Sequence, residues 1–278
     1  MYEELQFDSW SKTKTYIAKL NSNWIFRGQE VYDWSLSSAI DRVDFSNCPQ
    51  KNAKQDFEFF SIRDIKRNPL LYSDKKIPDT DFQMISLLQH YGLPTRLLDF
   101  TNSPFVAIFF AIENSNSDCS VFAINYHQLM SSTYHLFRLK HNDGSPEIEK
   151  YKKEGDLSND ENFKNIVLNT KQRDFVQMVQ PFYLFDRIIQ QRGAFLCQGN
   201  INKSFEENLA ANFEILQNLE GWLPYKKIKI KSEWRTEILR DLFQMNISRQ
   251  TLFPGIEGAI MSLKNKFDIS SADWKAPD

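Results

Sequence analysis

One stretch constrains this chain more than any other: Gln89 to Ala111, QHYGLPTRLLDFTNSPFVAIFFA. It traps a polar cluster between two apolar helices. Upstream, Asp79 to Tyr91 reads as a helix: Asp79 is placed to cap it, Met84, Leu87, Leu88 and Tyr91 share a face, and Gly92 stops it. Downstream, Ser103-Pro104 supplies a cap and a first-turn proline. The following Phe105 to Asn114 is apolar nearly all round, which predicts a buried helix. The residues between them (Thr95, Arg96, Asp99, Thr101, Asn102) must bond to one another or face a cleft, because a buried polar group without a partner costs about 1–3 kcal/mol.

The other segments are read by pattern and punctuation. Trp24-Ile25-Phe26 is a short buried strand running into Arg27-Gly28, and Asp56 to Arg67 has helical spacing. Ser120 to Asn125 reads as a central strand, and Phe182 to Phe185 and Ala194 to Cys197 as further strands. Lys226 to Lys231 alternates like an edge strand with its lysines in water. Ser232 is expected to cap a helix through Met245, and a last helix is expected over Ile256 to Lys266. Strands and helices mix without βαβ regularity, so the class is α+β. The charged stretch Lys140 to Lys171 carries Asn-Asp-Gly and Ser-Asn-Asp turn signals. It reads as a polar, solvated insertion within one domain over residues 1–278.

Composition narrows the classes of function. The chain has 278 residues, 41% of them apolar and 25% charged, enough for a sizeable core. Its net charge of −2 leaves no footprint for wholesale binding of nucleic acid or membrane. The polar, acidic N-terminus lacks a signal-peptide pattern, and no run approaches the roughly 18 apolar residues of a membrane span, so a cytoplasmic protein is expected. The 3 cysteines form no CxxC pair and the 4 histidines no HExxH pattern, which disfavours a metal enzyme.

Three places could carry chemistry. An arginine after a buried strand, followed by glycine, puts a planar donor where backbone can approach a ligand closely; Phe26-Arg27-Gly28-Gln29 has that form. Guanidinium suits phosphate, ribose or carboxylate. Within the central block, His90 reads equally as a packed helix-end residue or a site residue. Arg96 and Asp99 read as a turn-bracing ion pair, and Thr101 to Ser103 as a helix cap. The third place, Gln190-Gln191-Arg192-Gly193-Ala194-Phe195, sets polar residues and a glycine at the edge of an apolar strand.

Together these motifs resemble the FRG domain family, named for the tripeptide seen here as Phe26-Arg27-Gly28. Trp34, Leu36 and Arg42 follow at that family's spacing, and the block from Gln89 to Ala111 stands almost intact. Gln191-x-Gly193-x-Phe195 is similar to a later motif, and Leu252 to Gly258 to its C-terminal Leu-Phe-Pro block, with Gly255 where Asp is common and Ile256-Glu257 for Leu-Asp. The company FRG-type domains keep implies a toxin or phage-defence role.

A more distant resemblance is to ADP-ribosyltransferases, and it implies a split sheet with flanking helices. It implies NAD as substrate, with Arg27 and Gly28 at the phosphates and ribose, Thr101 and Ser103 orienting the nicotinamide ribose, and His90 holding the dinucleotide. Gln29, Tyr91, Arg96 and Asp99 complete the implied binding set, with Asp99 bracing Arg96. Gln191 falls at the catalytic position, where that family has Glu; a neutral amide cannot stabilise an oxocarbenium charge as a carboxylate does. Two other classes stay open: a non-catalytic module for a nucleotide, a nucleic-acid end or a protein, and a nuclease using His90, Arg96 and Asp99.

Overall fold

The computed structural model of the chain describes residues 1–67, 78–169, 171–180, 186–220, 224–256 and 258–263. In chain order they form β1 (Glu3–Leu5), α1 (Trp10–Ala18), β2 (Trp24–Gln29), α2 (Ala53–Arg67), α3 (Asp81–His90), β3 (Leu97–Thr101), α4 (Pro104–Ile112) and β4 (Cys119–Asn125). There follow α5 (Tyr126–Leu139), α6 (Pro146–Glu154), the short α7 (Asp160–Asn162), β5 (Val176–Val179), α8 (Asp186–Gln190) and β6 (Gly193–Gln198). The last elements with full bounds are α9 (Phe205–Glu220), β7 (Tyr225–Ile230), α10 (Arg235–Gln244) and α11 (Arg249–Leu252).

The described strands form a seven-stranded sheet in the order β1-β7-β4-β2-β3-β6-β5. Its pairs are antiparallel except β1–β7. The α+β class therefore holds. The sheet is also split. β2 pairs with β4 from Trp24↔Asn125 to Gln29↔Ser120, and β3 with β6 from Leu97↔Cys197 to Thr101↔Gly193. The two halves meet at a single pair, Phe26↔Thr101, where β2 touches β3.

Strand periodicity sorts the core into three clusters. On β2, Phe26 packs with α1, α4 and α10, while its neighbour Ile25 packs on the opposite face with Phe205, Leu209 and Leu216 of α9. On β6, Phe195 and Cys197 pack with Phe82 and Ile85 of α3, and Leu196 joins the α9 cluster. The α9 cluster thus spans both half-sheets, whereas the α4 and α3 clusters part on the other face.

Local signals explain the elements beside that seam. The Ser103 side chain caps α4 by accepting from the Val106 N–H, with Pro104 in the first turn. Gly92 ends α3 with φ +87°. The α3 cap is Thr80, which accepts from the Gln83 N–H, and Asp79 lies one residue too early. Ser232 opens a short 3₁₀ turn instead of capping α10, and its N–H donates to Asp118 Oδ1 at 2.9 Å. The predicted strand Phe182–Phe185 lies outside the described residues, as do 257 and 264–266 of the predicted last helix; 258–263 are helical.

Two further expectations are corrected. β7 is interior, not an edge: β1 covers it in register Glu3↔Lys226, and Lys227 is buried. Lys226 is paired with Glu3, and Lys229 with Asp118 at 3.0 Å. The second is the insertion, read as a solvated loop. It folds into α6, α7 and a π-helical turn over Phe163–Val167, burying Ile148, Tyr151, Phe163, Ile166 and Val167 in the α3 cluster. Tyr151 donates its hydroxyl to Gln177 Oε1 at 2.6 Å, tying α6 to β5.

No helix among the described residues is long and apolar enough to cross a membrane. Cys48 is exposed, while burial pushes the Cys119 and Cys197 thiols up to about 12. A thiol reagent at neutral pH should therefore titrate Cys48 rapidly and the buried pair only on unfolding; rapid reaction of either buried thiol would contradict this packing.

Candidate functional site

The seam between the half-sheets is where the polar residues gather. Arg27 stands one residue past the joining pair, and its Nη1 donates to the Asp99 carbonyl at 2.7 Å, across the split. Its Nε is buried without a hydrogen-bond partner. Burial pushes the Arg27 pKa down, the Asp99 carboxylate opposes that, and Arg42 adds to it. The Asp99 side chain is exposed and accepts from Gln89 Nε2 at 3.0 Å. Gln89 in turn accepts from the Thr95 hydroxyl, so the end of α3 holds the carboxylate in place.

Across the seam, Thr101 Oγ1 donates to the Gln191 carbonyl at 2.7 Å and accepts from the Ser103 N–H at 3.0 Å. The Gln191 amide donates to the Leu252 carbonyl at 3.2 Å. The Phe253 ring carries the Arg187 guanidinium 4.7 Å from its centroid and lies edge-on to Phe110. The Leu-Phe-Pro block therefore backs the site by fixing Gln191 and Arg187.

These groups line an open-sided cavity of about 190 Å³. Its polar lining is Arg27, Asp99, Thr101, Arg187 and Gln191, with backbone at Gly28. Phe26, Phe100, Ala107 and Phe110 are its apolar walls. The arrangement offers two guanidinium groups and one carboxylate over a largely aromatic base, which suits an anion with an attached ring.

Of the residues singled out from the sequence, Arg27, Gly28, Asp99, Thr101 and Gln191 line this cavity, and the others do different work. Ser103 is a helix cap. Gln29 donates to the Ser35 carbonyl at 3.1 Å, bracing the chain after β2. His90 and Tyr91 pack edge-on with ring centroids 5.1 Å apart, away from the lining. Gly28 lines the cavity and also lets α4 pack close: a Cβ there would lie 2.0 Å from the Ala107 carbonyl oxygen and 2.6 Å from the Ala111 nitrogen, both in α4.

The expected Arg96–Asp99 pair does not form. Asp99 lies in β3, which starts at Leu97 just after Arg96, and residues three apart on extended chain point to opposite faces. Arg96 is buried and pairs with Glu58 of α2 at 2.6 Å. It also donates to the carbonyls of Val167 at 2.8 Å and Gly199 at 3.2 Å. Burial opposes its charge, but the Glu58 carboxylate more than offsets that and holds the pKa above its ordinary value. Arg96 is thus a knot joining α2, β3, the π-helical turn and the end of β6.

Phe26 and Phe110, which the sequence motifs already contain, wall the cavity, and Arg187 is a lining residue outside those motifs. The signal for Arg187 was its spacing four residues before Gln191: the Gln191 N–H bonds the Arg187 carbonyl at 3.0 Å, so one helical turn places both at the cavity. Among the described residues, no group of three His, Cys, Asp or Glu side chains could hold a metal ion.

A family model described as FRG domain matches residues 22–119. The matched span holds Arg27, Gly28, Asp99 and Thr101, and Arg187 and Gln191 lie beyond it. No curated protein and no solved structure matches the chain.

Proposed function

We propose that this chain, a member of the FRG domain family, binds NAD at the split of its sheet and carries ADP-ribosyltransferase-like chemistry there. The observation that supports this reading is convergence: Arg27, Asp99, Thr101 and Gln191 come from three distant stretches and line one cavity. Arg27 and Arg187 would take the phosphates, for which guanidinium forks are suited. The cavity of about 190 Å³ is smaller than the roughly 300–1,000 Å³ of sites that enclose a whole ligand. It therefore takes one ribosyl-phosphate unit and leaves the rest of the dinucleotide on the rim. Thr101 already holds the Gln191 backbone, so its role is positioning. The Gln191 side-chain oxygen would accept from a ribose hydroxyl, with Asp99 supplying the cavity's carboxylate.

A second reading has its own support. Gln191 is neutral and its amide is tied to Leu252, which favours a module that binds the nucleotide without turning it over. Nicotinamide release separates the two. The transferase-like reading expects slow release by the wild type and faster release by Gln191→Glu. Stabilisation by NAD without release from either protein favours the binding module. NAD at 100 times its dissociation constant adds about 2.7 kcal/mol, several degrees of melting temperature for a chain of this size. No release and no stabilisation would overturn both readings.

A further inference from the structure

A larger cavity, of about 470 Å³, lies away from the split, between α2 and the π-helical turn of the insertion. Phe59, Ile62 and Leu168 give it apolar walls, and the Arg96–Glu58 pair forms part of its polar lining. It is open on one side, and its volume falls within the roughly 300–1,000 Å³ of ligand clefts and cavities. The NAD reading does not use it.

Its charge is lopsided. Five basic side chains (Arg63, Lys66, Arg67, Arg96, Lys164) line it against two acidic ones, Glu58 and Asp81. Both acids are already taken: Glu58 by Arg96 and Asp81 by Lys66, each at 2.6 Å. Arg67 and Lys164 are exposed and form no ion pair among the described residues. Arg63 is held with its guanidinium 4.4 Å from the Phe60 ring centroid, and its Nε is buried without a hydrogen bond; the Asp64 carboxylate is 3.7 Å away. The chain as a whole carries −2, so this positive rim is a local feature.

We propose that this cavity binds an amphipathic anion: one carboxylate or phosphate-monoester head on an apolar body. The head would sit among Arg63, Arg67 and Lys164, satisfying the buried Arg63 Nε, and the body would lie against Phe59, Ile62 and Leu168. Guanidinium and ammonium groups grouped beside apolar walls favour such a ligand over a neutral one of the same shape, because the head relieves their mutual repulsion and the body removes apolar surface from water.

The test is calorimetric titration of the full chain with decanoate, decyl phosphate and 1-decanol. Saturable binding of decanoate or decyl phosphate at least about tenfold tighter than decanol is expected, and the stronger of the two identifies the head. Arg67→Glu with Lys164→Glu changes exposed residues only and should weaken the anion at least about tenfold while leaving decanol unchanged. Equal affinity for decanol and the anions, or full anion affinity in the double variant, would overturn the proposal. Anion binding abolished by Arg187→Ala would also overturn it, by placing the anion in the split.

Discussion

Glu58→Gln is expected to lower the melting temperature by roughly 10 °C. The substitution keeps the side-chain shape but removes the charge that faces Arg96, which is 1% exposed. Breaking a buried pair by removing one partner costs about 3–5 kcal/mol, and a chain of this size loses about 2–4 °C per kcal/mol. The penalty is the orphaned guanidinium. Replacing both partners, as in Glu58→Leu with Arg96→Met, should therefore be less damaging than the single change. The Val167 and Gly199 carbonyls would then lose their donors, so recovery should be incomplete. Differential scanning calorimetry of the three proteins checks this. A single variant within about 3 °C of wild type would show that the Glu58–Arg96 pair does not hold α2 and the insertion to the sheet.

Gly28→Ala is the second large effect, and it arises differently. Gly28 has no positive φ, so the strand itself would accept alanine. The obstacle is α4, whose Ala107 carbonyl oxygen would lie 2.0 Å from the new Cβ. Both nearby atoms are backbone, so no rotamer change relieves the clash, and the helix must lift from β2. Overpacking of this kind costs about 1–3 kcal/mol and occasionally more, and this site belongs at the upper end. Ala107 and Phe110 of α4 also wall the split cavity, so ligand binding should fall with stability. Thermal denaturation together with NAD titration checks both. Wild-type stability in Gly28→Ala would contradict the close approach of α4 to β2.

What was legible in the sequence follows from how local each signal is. The cap and proline that start α4, and the apolar run within it, act within one turn and read correctly. The buried strand at Trp24 and the central strand at Ser120 read correctly for the same reason. β3 was hidden because Thr95-Arg96 and Asp99 look like a turn; only the ladder with β6 makes the segment extended. β7 looked like an edge because its cover, β1, lies more than two hundred residues away in sequence. The complementary signs of Glu3-Glu4 and Lys226-Lys227 were visible, but pairing them needs long-range information. The insertion hid its buried residues, from Ile148 to Val167, among charged neighbours at low apolar density.

The site was legible in the same partial way. Arg27, Asp99, Thr101 and Gln191 were recognisable by motif, and the split in the sheet brings them together. Arg96 shared their motif but points to the opposite face, and its partner Glu58 sits in a helix with no motif of its own. For Arg187 the sequence holds only its spacing to Gln191; α8 and the Phe253 ring are what place it over the cavity.

The most direct measurement is calorimetric titration of the full chain with NAD, for wild type and Arg187→Ala. Arg187 is exposed and lines the split, so its removal should leave the melting temperature nearly unchanged. One saturable NAD site is expected in the wild type, weakened at least about tenfold in Arg187→Ala, the effect of losing a charge-assisted bond of about 1.5–3 kcal/mol. No binding at millimolar NAD, or the same affinity in both proteins, would contradict the placement of a nucleotide in the split of the sheet.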